Sequence, residues 1–203
     1  IPSENTLAKT YGINRLTVRA ALDGIVEEGL LERVQGKGVF VVGKRIERDL
    51  DHLTGFRKAI EGGMSKPGVK ILDRQRRRAG SAYAKRLGID PEDEIFYIKR
   101  LDLADGEPIS MEEVYVPCEL FPNLMDVDLE IFPMQDVYDF YESSPVRAWQ
   151  TLEIVPVETR LARMLKLGDE RDALLFTCYT YREDGRVIEF MRSYNRSDAC
   201  FFT

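Results

Sequence analysis

The sequence predicts a mixed α+β chain in two unequal parts: a head of two helices and a hairpin, residues 1–43, and a body built on an antiparallel sheet, residues 50–203. Three observations carry this prediction. Residues 1–43 hold two helix-like segments separated by a tight turn, then a glycine-interrupted run rich in Val and Phe. Further on, a helix, strand, turn, strand unit occurs twice. Between the parts, residues 44–49 are charged, carry little apolar content and follow Gly43, the pattern of an inter-domain linker. With 203 residues, 44% hydrophobic and 32% charged, the chain is long enough for two ordinary cores and is not disordered in composition.

Pro2, Ser3 and Glu4 open the first helix, since the Ser3 hydroxyl can accept from an orphan backbone N–H and Glu4 complements the positive end of the dipole. Gly12 ends it near Tyr11 by taking the left-handed conformation of a C-terminal cap. Asn14 caps a second helix in which Val18, Ala21, Leu22 and Ile25 form one apolar stripe, and Gly29 closes it. Arg15, Thr17 and Arg19 lie off that stripe, in the first turns. Two helices so joined, the second offering polar and basic side chains from its start, can set a recognition helix in a major groove; the same pattern alone also suits ordinary core packing. Leu31 to Val42 breaks at Gly36, Lys37 and Gly38 into a hairpin, and Lys37 at its tip can approach a phosphate or a minor groove closely.

The body repeats itself. Ala84 to Gly88 leads to Asp93 to Ile98 and then Asp105 and Gly106, while Ala162 to Gly168 leads to Asp172 to Phe176 and then Asp184 and Gly185. Asp-Gly between alternating apolar runs makes a hairpin whose two central residues need positive φ. The spacing pairs Ile95 to Ala104 with Ile109 to Val116, and Ala173 to Arg182 with Val187 to Tyr194; Thr151 to Val157 adds a strand. A mainly antiparallel sheet with helices on one face is expected.

Composition narrows the function classes. Cys118, Cys178 and Cys200 are odd in number and lack metal-like spacing, so buried thiols in a reducing cytoplasm are expected rather than disulfides or a zinc site. No apolar run approaches the roughly 20 residues of a membrane-spanning helix, so no membrane partner is expected. The single histidine, His52, has no nucleophile motif beside it, and no phosphate loop or metal constellation is present, which speaks against an enzyme or a cofactor. The net charge of −6 argues against a general nucleic-acid binder until it is divided. Residues 1–48 carry eight Lys/Arg against six Asp/Glu, and the rest 21 against 29. A mildly basic head on an acidic body suits a DNA reader whose second domain does not touch DNA.

Together, IPSE at residues 1–4, INRLTVRAAL at 13–22, EGLLER at 28–33 and GKGVFV at 36–41 resemble the winged helix-turn-helix domain of the GntR family. The resemblance implies a further helix ahead of residue 1, truncated here. It implies that Arg15, Thr17 and Arg19 contact groove and phosphates, that Gly36, Lys37 and Gly38 form the wing, and that Ser3 and Glu4 start a helix near the phosphate backbone. LTGF at 53–56, IKRL at 98–101, DGEP at 105–108, EEVYVP at 112–117 and the closing stretch from Ile188 to Asp198 resemble the UTRA effector-binding domain of the HutC subfamily, whose fold is that of chorismate lyase.

The two resemblances together imply a homodimeric regulator, a repressor in the usual case, on palindromic double-stranded operator DNA, with a small-molecule effector between the two halves of the sheet. By position the expected effector contacts are Thr54, Gly55 and Phe56 at a helix start, with Arg100, Glu112 and Glu189; Tyr115 and Tyr194 are further candidates. Arg100 and Glu112 also read as a plain cross-strand pair. Asp102 stands where the family often has a second arginine, and Asp136 where a serine is common near a helix start. If both face the pocket they oppose a phosphate and favour a less anionic or amine-bearing ligand; otherwise they face solvent. The alternatives are an enzyme on the chorismate lyase-like fold and a ligand-independent dimerising DNA-binding protein.

Overall fold

A computed structural model describes residues 1–28, 30–41, 46–48, 65–168 and 171–203. The chain divides into two units, Ile1–Arg45 and Ile46–Thr203. In the first, helix α1 (Glu4–Tyr11) starts where Ser3 Oγ accepts from the Thr6 N–H at 3.2 Å, and stops at Gly12, whose φ of 64° is left-handed. Asn14 Oδ1 accepts from the Leu16 N–H at 2.8 Å and opens α2 (Arg15–Glu27). Gly29, expected to close α2, lies outside the described residues. Strands β1 (Leu31–Val34) and β2 (Gly38–Val41) pair antiparallel around Lys37. Gly36 and Gly38, with φ of 76° and 116°, carry the turn.

Val18, Leu22 and Leu31 form the buried core of this unit, with Leu7, Val26 and Val39 against it. The expected stripe is shifted. Ala21 and Ile25 are exposed, because the face of α2 that meets α1 and the hairpin follows the i, i+4, i+8 row from Val18 to Val26.

In the second unit, Ile46–Arg48, within the stretch read as linker, forms β3 and pairs in parallel with β10 (Cys200–Phe202). The main sheet is antiparallel throughout, with β4 (Pro67–Arg78), β5 (Glu94–Ala104), β6 (Glu107–Pro117), β9 (Val187–Asn195), β8 (Asp172–Tyr181) and β7 (Arg147–Pro156) side by side in that order. The two halves of the repeat therefore meet along the β6–β9 ladder.

The hairpins differ. Between β5 and β6, Asp105 and Gly106 both take positive φ, 52° and 82°, as the Asp-Gly pair predicts. Between β8 and β9 only Gly185 does, at 82°. Its N–H donates to the Arg182 carbonyl at 2.9 Å while the Arg182 N–H donates to the Arg186 carbonyl at 3.0 Å, so this loop has three residues and Asp184 does not take positive φ.

Strand β4 lies outside the sequence expectation, because half of its residues are charged. At a sheet edge those side chains have somewhere to go. Arg74 donates to the carbonyls of Leu124 and Met125 at 2.9 and 2.8 Å, and the Arg77 guanidinium stacks over the Tyr97 ring at 4.9 Å.

Helices cover both faces of the sheet, not one. The repeated helices α3 (Gly80–Leu87) and α5 (Thr159–Met164) share a face, where Leu87 meets Ile95 and Phe190, and Leu161 meets Leu101 and Met111. The connection from β6 to β7 supplies α4 (Met134–Phe140) and a 3₁₀ turn at Leu124–Asp126 for the other face, against Phe96, Ile98 and Val114. The central strands are apolar on both sides, so both need cover. The side chains of Cys118, Cys178 and Cys200 are buried. Among the described residues no helix is long and apolar enough to cross a membrane.

Candidate functional site

In the head, the first turns of α2 hold Arg15, Thr17 and Arg19 at the surface, and Lys37 sits exposed at the hairpin tip. Ser3 is occupied as a cap, bonded also to Thr6 Oγ1 at 2.8 Å. Glu4, expected near a phosphate backbone, is turned onto the arginines instead, its side chain only 14% exposed. Its carboxylate accepts from Arg15 Nε at 3.0 Å and from Arg19 at 3.0 and 2.9 Å. Arg33 on β1, not foreseen in this role, lies 3.5 Å from Glu4 and bonds Asp23 at 2.6 Å. The clamp joins the start of α1, the start of α2 and the hairpin, and so orients the Arg15 and Arg19 side chains.

The Arg19 hydrogen bond, then that of Arg15, holds the Glu4 carboxyl down at about 2, against a usual 4.5. A depressed carboxylate stabilises the fold above its unfolded value and loses that contribution as pH falls through the folded one. Denaturation midpoints of wild type and Glu4→Gln should therefore differ at neutral pH and converge as pH falls from about 4.5 towards 2. Equal midpoints at neutral pH would show that the clamp is not stabilising.

In the body, strand alternation brings Arg100, Asp102, Glu112 and Glu189 to one face of β5, β6 and β9. Arg100, 12% exposed in its side chain, donates from Nε and a terminal nitrogen to Glu112 at 3.0 and 2.6 Å, and lies 3.6 Å from Asp102. Ser110 Oγ donates to Asp102 at 2.9 Å, and Ser193 Oγ to Glu112 at 3.2 Å. Glu189 accepts from the Tyr138 hydroxyl of α4 and from Thr180 Oγ1 at 3.3 Å. Asp102, Glu112, Ser110 and Ser193 are fully buried. The Ser193 bond crosses the β6–β9 ladder, so the network spans the two halves of the repeat.

Burial raises the Glu189 carboxyl above its usual value, against the lowering effects of the Tyr138 bond and Arg100. A carboxyl raised on folding favours the native state below its usual value and disfavours it as pH climbs through the raised one. Glu189→Gln is thus expected to match wild type in urea at acid pH and to exceed it at neutral pH. A variant less stable at neutral pH would reverse that sign.

The remaining candidates are placed differently. Tyr115 and Tyr194 lie on the opposite face, an odd number of residues from Glu112 and Glu189 along their strands. There Tyr115 accepts from the Tyr83 hydroxyl at 2.9 Å, and Tyr194 packs with the Leu101, Met111 and Leu165 cluster. Asp136 is exposed on α4, whose inward residues are Met134, Val137 and Tyr138. Thr54, Gly55, Phe56 and His52 lie outside the described residues. Sequence reasoning missed Tyr138, Ser110, Thr180 and Ser193; the strand residues share the parity of Arg100 and Glu112, whereas Tyr138 carries no local signal.

Residues 1–41 match the family described as bacterial regulatory proteins, gntR family, and residues 63–200 match the UTRA domain. The HTH-type transcriptional repressor NagR of Bacillus subtilis (strain 168) is 33% identical over 206 residues, covering 100% of this chain and 83% of that protein. The mannosyl-D-glycerate transport/metabolism system repressor MngR of Escherichia coli (strain K12) is 28% identical over 205 residues, covering 100% and 85%. The crystal structure of PhnF from Mycobacterium smegmatis shares the fold with a TM-score of 0.81 at 24% identity, over 100% of this chain and 89% of that one. A DNA-binding helix-turn-helix joined to an effector-binding sheet domain defines a ligand-responsive transcription regulator. The chain belongs to the GntR family, with the UTRA domain of its HutC-like members.

Proposed function

We propose that the chain is a cytoplasmic repressor that binds palindromic operator DNA as a homodimer and releases it when a small molecule occupies the Arg100, Glu112 and Glu189 face of the sheet. The observation that supports this most is the buried polar network spanning the β6–β9 ladder, where a ligand would touch both halves of the body at once. Residues up to about 43 read DNA, and the body carries the effector and dimer surfaces. The chain is read as a regulator without catalytic activity. Effector contacts are assigned to Arg100, Asp102, Glu112 and Glu189, together with Tyr138 and, from the sequence resemblance, Thr54 to Phe56. Asp102, fully buried beside Arg100 where the family often has arginine, favours an effector less anionic than a phosphosugar, or one bearing an amine. Submillimolar calorimetric binding of sugar phosphates with none of amines would sink that choice of ligand.

Coupling needs little energy. A 10- to 100-fold loss of operator affinity corresponds to roughly 1.4 to 2.8 kcal/mol of effector preference between two dimer geometries. The DNA half is tested with a palindrome selected by the full chain from random duplexes. Arg15→Ala and Arg19→Ala are expected to weaken binding by about 1–3 kcal/mol each, and Lys37→Ala to lower the salt slope by about one, measured by fluorescence anisotropy. Unchanged affinity and slope in all three would remove Arg15, Arg19 and Lys37 from the interface.

A further inference from the structure

We infer that the face of the body sheet opposite Arg100 and Glu189 carries a second small-molecule site, a basic aromatic cleft between α3 and strands β7 and β8 that takes a planar aromatic ring bearing an anionic group. The inference goes beyond the effector reading and does not depend on it. Tyr97, Tyr115, Phe190, Tyr179 and Trp149 are successive register partners on β5, β6, β9, β8 and β7. Their ring centroids lie 5.1, 5.7, 4.8 and 5.5 Å apart, one aromatic row across the sheet. Tyr179 and Phe190 are one residue from Thr180 and Glu189, so strand alternation turns the row away from the effector face.

Helix α3 closes over the inner part of the row, where Tyr83 stacks on Tyr115 at 4.2 Å and Leu87 packs in the same cluster. Past the helix the rings are uncovered. Trp149 is 55% exposed, and with Tyr179, Tyr181, Lys85 and Arg86 it lines a cleft of about 470 Å³, room for a single or fused ring and its substituent.

The charge of the cleft has one sign. Among the described residues no carboxylate lines it, and neither Lys85 nor Arg86 pairs with one. Arg86 gives one N–H to the Ala82 carbonyl at 3.1 Å and lies 5.2 Å over the Phe190 ring. Arg147, 4.6 Å over the Tyr181 ring, adds a cation beside them. Elsewhere on the body basic side chains are matched, Arg76 with Glu94, Lys99 with Glu113 and Arg182 with Asp184, so the unmatched positive charge is local to the aromatic cleft. Cations at the wall repel a cationic guest and hold an anion, while the ring faces give a flat guest a surface to stack on. An aryl carboxylate and a purine nucleotide share that chemistry.

Trp149 is the only tryptophan in the chain, so its emission reports on this cleft. The test is a fluorescence titration of the full chain with benzoate, with adenosine monophosphate, and with cyclohexanecarboxylate as an anion that has no aromatic ring. A saturable quench with a blue shift is expected at submillimolar concentration for at least one of the first two, and none for the third. Saturation by benzoate alone assigns the site to aryl carboxylates, and by adenosine monophosphate alone to nucleotides. Lys85→Glu, on the exposed side of α3, should weaken binding at least about tenfold with far-UV circular dichroism unchanged. Lys70→Glu makes the same charge change on the far edge strand β4 and should leave the affinity as it was. No saturable change with either aromatic probe, an equal response to cyclohexanecarboxylate, or a loss in Lys85→Glu no larger than in Lys70→Glu would overturn the cleft as a site.

Discussion

Replacing Arg100 by Met is expected to cost the body about 3–5 kcal/mol of unfolding free energy, read as a lower urea midpoint at neutral pH. The guanidinium lies between Glu112, bonded at 3.0 and 2.6 Å, and Asp102 at 3.6 Å, and both carboxylates are buried. Burial alone would push the Arg100 pKa down. The charges of Glu112 and Asp102 and the Glu112 hydrogen bond outweigh it and raise the value, so the cation persists at every accessible pH. Met fills a similar volume but withdraws the positive charge from two carboxylates already out of water, and that loss, more than the missing attraction, sets the size of the effect. Arg100→Met/Glu112→Leu should recover part of the loss, because it removes a stranded charge along with its partner. A single-variant loss below about 1 kcal/mol would mean that water or neighbouring groups compensate the carboxylates.

Phe121→Ala is expected to cost a similar amount, about 3–5 kcal/mol, by leaving a cavity where a large side chain is wholly enclosed. It should also reach the proposed effector site. Phe121 packs its ring 5.3 Å from that of Tyr138 and 5.7 Å edge-on from that of Tyr141, so it fixes the inner side of α4. Tyr138 in turn donates to Glu189. Without Phe121 the helix can settle towards the void and carry that hydroxyl away from its carboxylate. The expected result is a lower thermal midpoint together with a weaker response to any ligand that raises the wild-type midpoint. A Phe121→Ala protein with wild-type stability would mean that the surrounding residues collapse into the space at no cost.

Local chemistry made part of this architecture legible. Caps at Ser3, Gly12 and Asn14 and the Asp105–Gly106 turn act through their own backbone, so each stands where the sequence predicts it. The helix–hairpin repeat was legible because both copies carry the same signals in the same order. Strand β4 was not, since its arginines look solvated until Tyr97 and the Leu124 and Met125 carbonyls are in place to receive them. Glu4 looked like a helix-start residue, and its role as an arginine clamp depends on α2 folding back over α1. At the proposed effector face, parity alone separates Arg100, Asp102, Glu112 and Glu189 from Tyr115 and Tyr194. It does not locate Tyr138, whose position depends on how the β6–β7 connection returns across the sheet.

The Glu4 clamp also changes what the head delivers to DNA as an electrolyte. Arg15 and Arg19 already share one carboxylate, so in the proposed interface the cluster would present a charge of about one rather than two to the phosphates. Counterions leave DNA in proportion to the charge neutralised, with a salt exponent near 0.9 per phosphate. An operator complex built on this head is therefore less easily dispersed by salt than its arginines suggest, and it draws less of its strength from the ion atmosphere that every DNA sequence carries alike.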